Sequence, residues 1–170
     1  INRGTKAYGK TAIGDNCLIM ATAHVAHECI IGNDVIIVNG VTLAGHVEIG
    51  EYAIIDGLAG VHQFIHIGKH AMISGGSLVR KDVPPFVKAA KEPLSYIGIN
   101  SIGLRRRGFS SEKINKIQNI YRILFQKNNN VSQASRILEA ELDASPEHRY
   151  GPAYCHHPPR YCLAGFTHAC

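Results

Sequence analysis

From Ile13 to Val79 every sixth residue is a branched aliphatic: Ile13, Ile19, Val25, Ile31, Ile37, Leu43, Ile49, Ile55, Val61, Ile67, Ile73 and Val79. Four residues after each stands a mostly small residue, from Cys17, Ala23 and Cys29 through to Ala71, Ser77 and Val83. A period of six is far from any multiple of 3.6, so the pattern excludes a helix. A slower beat lies over it, with Ile-Gly recurring at Ile13-Gly14, Ile31-Gly32, Ile49-Gly50 and Ile67-Gly68, eighteen residues apart. Three sixes per coil make a triangular prism with a short strand on each face and a turn at each corner. Such a unit buries its apolar side only by stacking on its neighbours. The pattern predicts a mainly β fold, a hexapeptide parallel β-helix over residues 1–83.

The eighteen-residue period also sets columns, in which residues one coil apart stack at the usual strand spacing of about 4.8 Å. One column reads His27, Gly45, Gln63; its neighbour reads Glu28, His46, Phe64; a third reads Asn39, Gly57, Gly75. His24, His27, His46, His62, His66 and His70 all fall off the inward beat and are expected at corners or pointing outward. Pro84-Pro85 stops the ladder, since proline donates no backbone hydrogen bond. Residues 86–100 read as irregular. A helix is expected after Ser110, an N-cap followed by Glu112 in the first turn, with Phe109 and Ile114 as a hydrophobic staple. Its apolar stripe is Ile114, Ile117, Ile120, Tyr121, Leu124 and Phe125, and a second helix is expected over 131–144. Residues 84–147 thus form a loop and helical region.

Residues 148–170 change character, with no acid, four histidines, three cysteines and three prolines. Cys155, His156, Cys162 and His168 suggest zinc, but Cys155-His156 is too tight and no Cys-x-x-Cys pair exists, so a disordered or non-native extension is expected. No stretch approaches transmembrane length and the first residues form no signal peptide, which points to a cytoplasmic protein without membrane insertion. The net charge of +5 is modest and favours an acidic or phosphorylated partner, not nucleic acid.

The densest chemistry is Ala23-His24-Val25-Ala26-His27-Glu28-Cys29. A carboxylate immediately after His27 can hold one imidazole nitrogen and leave the other as a general base. Gly45, one coil above, offers a backbone N–H as an oxyanion donor with no side chain in the way. The same residues also read as solvated corner histidines, and spacing alone leaves the two readings open. No structural metal and no cofactor is expected, because the fours of His62, His66 and His70 do not share a face on a six-residue beat. Arg105-Arg106-Arg107 suits phosphate, or is a solvated basic turn.

Three stretches carry a family resemblance: the Ala23–Cys29 corner; Leu43-Ala44-Gly45-His46 with Ala59-Gly60-Val61-His62-Gln63-Phe64; and Asp82-Val83-Pro84-Pro85-Phe86-Val87 with Gly98-Ile99-Asn100 and Gly103 to Ser110. Over residues 1–147 the chain resembles the bacterial UDP-N-acetylglucosamine O-acyltransferases, which carry out the first step of lipid A synthesis. The resemblance implies a left-handed prism, a homotrimer with active sites between subunits, and transfer of a 3-hydroxyacyl group from acyl carrier protein to the glucosamine 3-hydroxyl. It implies His27 as base, Glu28 as its orienter and Gly45 as oxyanion donor, with His24, His46, His62 and Gln63 lining the cleft. It further implies Asn100, Arg106 and Arg107 as holders of the nucleotide and its diphosphate, and Gly75 as the position that sets acyl-chain length. Members often carry Asp where Glu28 stands, and some carry an acid where Ile102 stands. The family also has coils before the point matching Ile1 and helical sequence beyond Glu147, so a truncated chain with an altered frame near its end is expected. Competing readings are another hexapeptide acyltransferase, acting on an amine or a different sugar, and a non-catalytic solenoid scaffold.

Overall fold

The computed structural model describes residues 1–6 and 9–126. Twelve two-residue strands recur every six residues and form three parallel sheets, one per prism face. One sheet is β1 (Ala12–Ile13), β4 (Ile30–Ile31), β7 (Glu48–Ile49) and β10 (His66–Ile67). The second holds β2 (Leu18–Ile19), β5 (Ile36–Ile37), β8 (Ile54–Ile55) and β11 (Met72–Ile73). The third holds β3 (His24–Val25), β6 (Thr42–Leu43), β9 (Gly60–Val61) and β12 (Leu78–Val79). The register is that of the eighteen-residue beat, with Ile13 beside Ile31, Ile37 beside Ile55 and Leu43 beside Val61. The fold is the left-handed parallel β-helix that the pattern and the resemblance together implied.

The aliphatic sixths fill the axis. Val25, Ile37, Leu43, Ile55 and Ile73 are wholly buried, as are the small partners Cys29, Val35, Val41, Val47, Ala53 and Ala71. Burial of such side chains is worth about 1.5–3 kcal/mol for each large aliphatic, and here each coil supplies three. Every corner turns through one residue with a left-handed backbone, at six-residue intervals: Asn16, Thr22, Glu28, Asp34, Gly40, His46, Tyr52, Leu58, Phe64, His70 and Gly76. That conformation is uncommon outside glycine. Here it is held by a repeated hydrogen bond from the corner amide to the coil below, as in Tyr52 N to Asn33 O (3.0 Å) and His70 N to Glu51 O (2.9 Å). The Ile-Gly beat marks one tight corner, where a Cβ on Gly32 would lie 2.8 Å from the Glu51 nitrogen.

Residues 86–100, read from the sequence as irregular, are instead ordered. β13 (Val87–Ala90) joins the second sheet beside β11, and β14 (Ser95–Ile99) returns antiparallel to it. The hairpin was hidden because it abandons the six-residue beat and carries a register shift between Lys88 and Ala89. A short helix α1 (Ser101–Arg106) follows, also unforeseen, and then α2 (Ser111–Gln126) begins where the capping signal placed it. The Ser110 hydroxyl accepts from Lys113 N at 3.2 Å. Ile114, Ile117, Ile120 and Tyr121 are buried, and the Tyr121 hydroxyl donates to Pro85 O at 2.7 Å, tying α2 to the end of the solenoid. The helix expected over 131–144 and the cysteines and histidines after 148 lie outside the described residues.

His70 departs from the outward placement expected of it. It occupies a corner but is only 7% exposed, because the C-terminal region covers that corner. Its ring stacks on Tyr52 (4.9 Å) and Phe86 (5.5 Å) and meets Phe109 edge-on (5.1 Å). Burial first, then the positive charges of Arg107, Lys69 and Lys113, push its pKa down from 6.5 to about 4. The unfolded imidazole therefore binds a proton from pH 6.5 downward, whereas the folded one stays neutral to about pH 4. Stability from this group is present above pH 6.5 and is lost as pH falls toward 4, by about 2–3 kcal/mol. His70→Phe keeps the stack, so its melting temperature should fall less than that of the wild type between pH 7 and 4. Parallel curves for the two proteins would contradict this account.

Candidate active site

The corner that begins with Glu28 gathers most of the predicted chemistry. Glu28, His46 and Phe64 share one column, each at a left-handed corner position with φ of 57°, 61° and 63°. The turn presses Glu28 back against the prism, where its side chain is 3% exposed. Its Oε2 accepts from His27 Nδ1, as the adjacent pair led one to expect. Its Oε1 accepts from both the backbone N–H of Thr5 and the Thr5 hydroxyl, the latter at 2.6 Å. The Glu28 amide in turn donates to Thr11 Oγ1 at 3.0 Å. The Thr5 hydroxyl bond is the main cause that holds the Glu28 carboxyl below its usual range, with burial opposing it. Glu28 is thus a carboxylate throughout the neutral range, and its share of stability is lost only as pH falls through that lowered value.

A carboxylate on Nδ1 fixes the proton there and leaves the Nε2 lone pair of His27 available. The ring rests against Gly45, which is buried beneath it instead of standing open: a Cβ on Gly45 would lie 2.6 Å from His27 Cε1 and 2.9 Å from Nε2. No acceptor among the described residues takes the Gly45 N–H. His46 stands edge-on to His27, with ring centroids 5.3 Å apart, and stacks on Phe64 at 4.6 Å. The predicted residues His24, His62 and Gln63 are exposed around this corner. His24 sits on β3, His62 just after β9 with its Nδ1 3.3 Å from Gln63 O, and Gln63 above Gly45 in the His27 column. His66 lies apart, paired with Asp82 and Glu48, and the Asp82 bond raises its pKa.

Thr5 carried no signal in the sequence, because its contact with Glu28 spans 23 residues and segment 1–6 belongs to no regular six. That segment is anchored by Asn2 N to Val25 O (2.8 Å) and, with His27, lines an opening of about 920 Å³. Thr5→Val removes one of the two donors on Glu28 Oε1. Turnover should fall roughly tenfold, with the acid limb of the pH–rate profile displaced to higher pH and Thr5→Ser largely restoring both. Equal profiles for Thr5→Val and wild type would show that Thr5 does not act through Glu28.

Asn100, Arg106 and Arg107 lie at a different corner, that of Tyr52 and His70. Asn100 is buried, and both ends of its amide are engaged: Oδ1 accepts from Gly103 N (3.2 Å), capping α1, while Nδ2 donates to His70 O (3.0 Å). Asn100 therefore fixes α1 on the His70 corner, and α1 sets Arg106 and Arg107 at its end. Arg106 is exposed; Arg107 lies over the Tyr52 ring, 5.2 Å from its centroid, and burial lowers its pKa. Tyr52 is raised, chiefly by the charge of Asp34 below it in the column. Gly75 is exposed at the third corner, where an added Cβ would lie 3.1 Å from Gly57 O.

Comparison with known proteins bears on this arrangement. Residues 82–153 match the family described as UDP-N-acetylglucosamine O-acyltransferase, domain 2, and residues 10–45 match the bacterial transferase hexapeptide. The acyl-[acyl-carrier-protein]–UDP-N-acetylglucosamine O-acyltransferase of Verminephrobacter eiseniae is 46% identical over 145 residues, 85% of this chain and 55% of that protein. The chain belongs to the UDP-N-acetylglucosamine O-acyltransferase family. Among solved members, the UDP-N-acetylglucosamine acyltransferase of Bacteroides fragilis superposes with a TM-score of 0.89 at 45% identity, covering 94% of this chain and 63% of that one. The Acinetobacter baumannii member gives 0.81 at 39% identity, covering 88% and 59%. The chain spans about half the length of the curated relatives of this family that it matches. Among the described residues no helix is long and apolar enough to cross a membrane.

Proposed function

We propose that this chain transfers a 3-hydroxyacyl group from acyl carrier protein to the 3-hydroxyl of UDP-N-acetylglucosamine, in the cytoplasm, as the first step of lipid A synthesis. The observation that carries the reading is the His27 imidazole, tied at Nδ1 to a buried, doubly supported carboxylate and seated against Gly45, where no Cβ would fit. His27 Nε2 takes the proton of the sugar 3-hydroxyl as that oxygen attacks the thioester carbonyl. The oxyanion accepts from the Gly45 N–H, an interaction stronger in the tetrahedral intermediate than in the thioester. Collapse breaks the carbon–sulfur bond, and the departing thiolate recovers the proton from Nε2. Glu28 orients the imidazole and stabilises its cationic form. His24, His46, His62 and Gln63 line the acceptor cleft. Arg106 and Arg107 hold the diphosphate by guanidinium forks, with Asn100 positioning them through α1.

His27 and Arg107 stand at different corners of one prism, so a single nucleotide sugar reaches both types of residue only if two chains contribute. This supports a homotrimer in which the His27 corner of one prism faces the Arg107 corner of its neighbour. The test is an acyl-transfer assay with 3-hydroxyacyl carrier protein and two acceptors, one with a free 3-hydroxyl and one with an amine at that position. Transfer to the hydroxyl is expected. Exclusive transfer to the amine would make the chain an N-acyltransferase, and transfer to neither would overturn the reading.

A further inference from the structure

Three ligand-type atoms converge at the His27 corner. His27, Glu28 and His46 each offer one ligand atom, and these atoms all lie within 4.8 Å of one another. Glu28 Oε2 is common to both histidine contacts, paired with His27 Nδ1 and 3.9 Å from His46 Nε2. The imidazoles stand at 88° to each other, so both can turn a nitrogen toward the same carboxylate. Two histidines and a carboxylate form a donor set that zinc accepts, with bonds of about 2.0–2.2 Å. Tetrahedral bonds of that length place ligand atoms about 3.4 Å apart, so a small inward shift of His46 and a slight opening of the His27–Glu28 pair complete the set. The second carboxylate oxygen is already held by Thr5, the outer-shell support that ligating carboxylates require. The His27 and His46 side chains are 42% and 24% exposed, which leaves the solvent side for water ligands.

We propose that His27, Glu28 and His46 bind a zinc-class divalent cation from solution and that this ion inhibits acyl transfer. Inhibition follows from the tautomer. The metal needs the Nδ1 lone pair, so the Nδ1 proton leaves to solvent and the neutral ring carries its one proton on Nε2 instead. The atom that accepts the hydroxyl proton is then already protonated, and Glu28 is diverted to the metal. Arg3 and Lys6 line the same opening, and their charge keeps the ion exchangeable rather than resident. The binding half stands on coordination alone, whereas the inhibition half rests on the proposed function.

A cobalt(II) titration of the full chain, with zinc as competitor, tests the site. Nitrogen and oxygen ligands give weak visible bands, whereas Cys155, Cys162 and Cys170 would add strong thiolate charge transfer, so the two kinds of site separate. One zinc-displaceable cobalt of the nitrogen–oxygen type is expected per chain. Its affinity should fall at least about tenfold in His46→Ala and in the near-isosteric Glu28→Gln, and stay unchanged in His66→Ala. No such signal, or one identical in wild type, His46→Ala and Glu28→Gln, overturns the site. Zinc binding at these residues with transfer unimpaired overturns the inhibition. A wild-type chain that transfers no acyl group counts against the proposed function instead, and the cobalt titration still decides the site.

Discussion

His27→Ala lowers the rate of acyl transfer by about 10²–10⁴-fold while the protein keeps its fold and assembly. The expected loss is that of the proposed general base, whose Nδ1 is held by Glu28, itself held by Thr5. The fold survives because the His27 side chain is 42% exposed and contributes nothing to the axial core, and the backbone bond from His46 N to His27 O at 3.0 Å does not depend on the side chain. Glu28→Gln also loses activity, because its amide oxygen stays on the two Thr5 donors and its NH2 then faces His27 Nδ1, which places the ring proton on Nε2. Steady-state rates, with circular dichroism and light scattering on the same samples, separate catalysis from folding. A variant with more than about a tenth of wild-type activity would remove His27 from the role of base.

Gly75→Met shifts donor preference toward shorter acyl chains, by roughly 10²-fold in the ratio of kcat/KM between long and short donors. The column Asn39, Gly57, Gly75 holds the same place within its six as His27 does, one corner removed. In the proposed trimer, where corner faces corner between chains, an acyl group leaving His27 would run past the exposed Gly75. A methionine there denies burial to about four methylenes, each worth about 0.8 kcal/mol. The added Cβ lies 3.1 Å from Gly57 O and 3.6 Å from Asp56 Oδ2, close enough to require a small local shift but not to block the fold. Competition between donors of several lengths reads the ratio directly. An unchanged ratio together with a lower melting temperature would make Gly75 a structural corner and nothing more.

The two sites were legible to different degrees. The pairing of His27 with Glu28, and the column that Glu28 shares with His46, followed from the beat, because a repeat assigns every residue a face or a corner before any contact is known. Arg105-Arg106-Arg107 read either as phosphate chemistry or as a solvated basic turn, and only the family resemblance favoured the phosphate. That Asn100 spends its amide on Gly103 and His70 was not readable, since a capping asparagine and a ligand-binding one look alike in a sequence.

What the sequence alone determined is whatever repeats or is local. The six-residue beat set the strands, the inward residues and the register, because a misplaced residue would expose an entire aliphatic column. The Ser110 cap and the staple at Phe109 set the start of α2, since both act within one turn. Only the tertiary structure decided which contacts the non-repeating segments make. Thr5 folds back on Glu28, Tyr121 reaches Pro85, and the hairpin and α1 bury the His70 corner under Phe86, Phe109 and Arg107. These contacts join residues 16 to 39 positions apart with no period to announce them, and each depends on the shape the solenoid presents once it has formed.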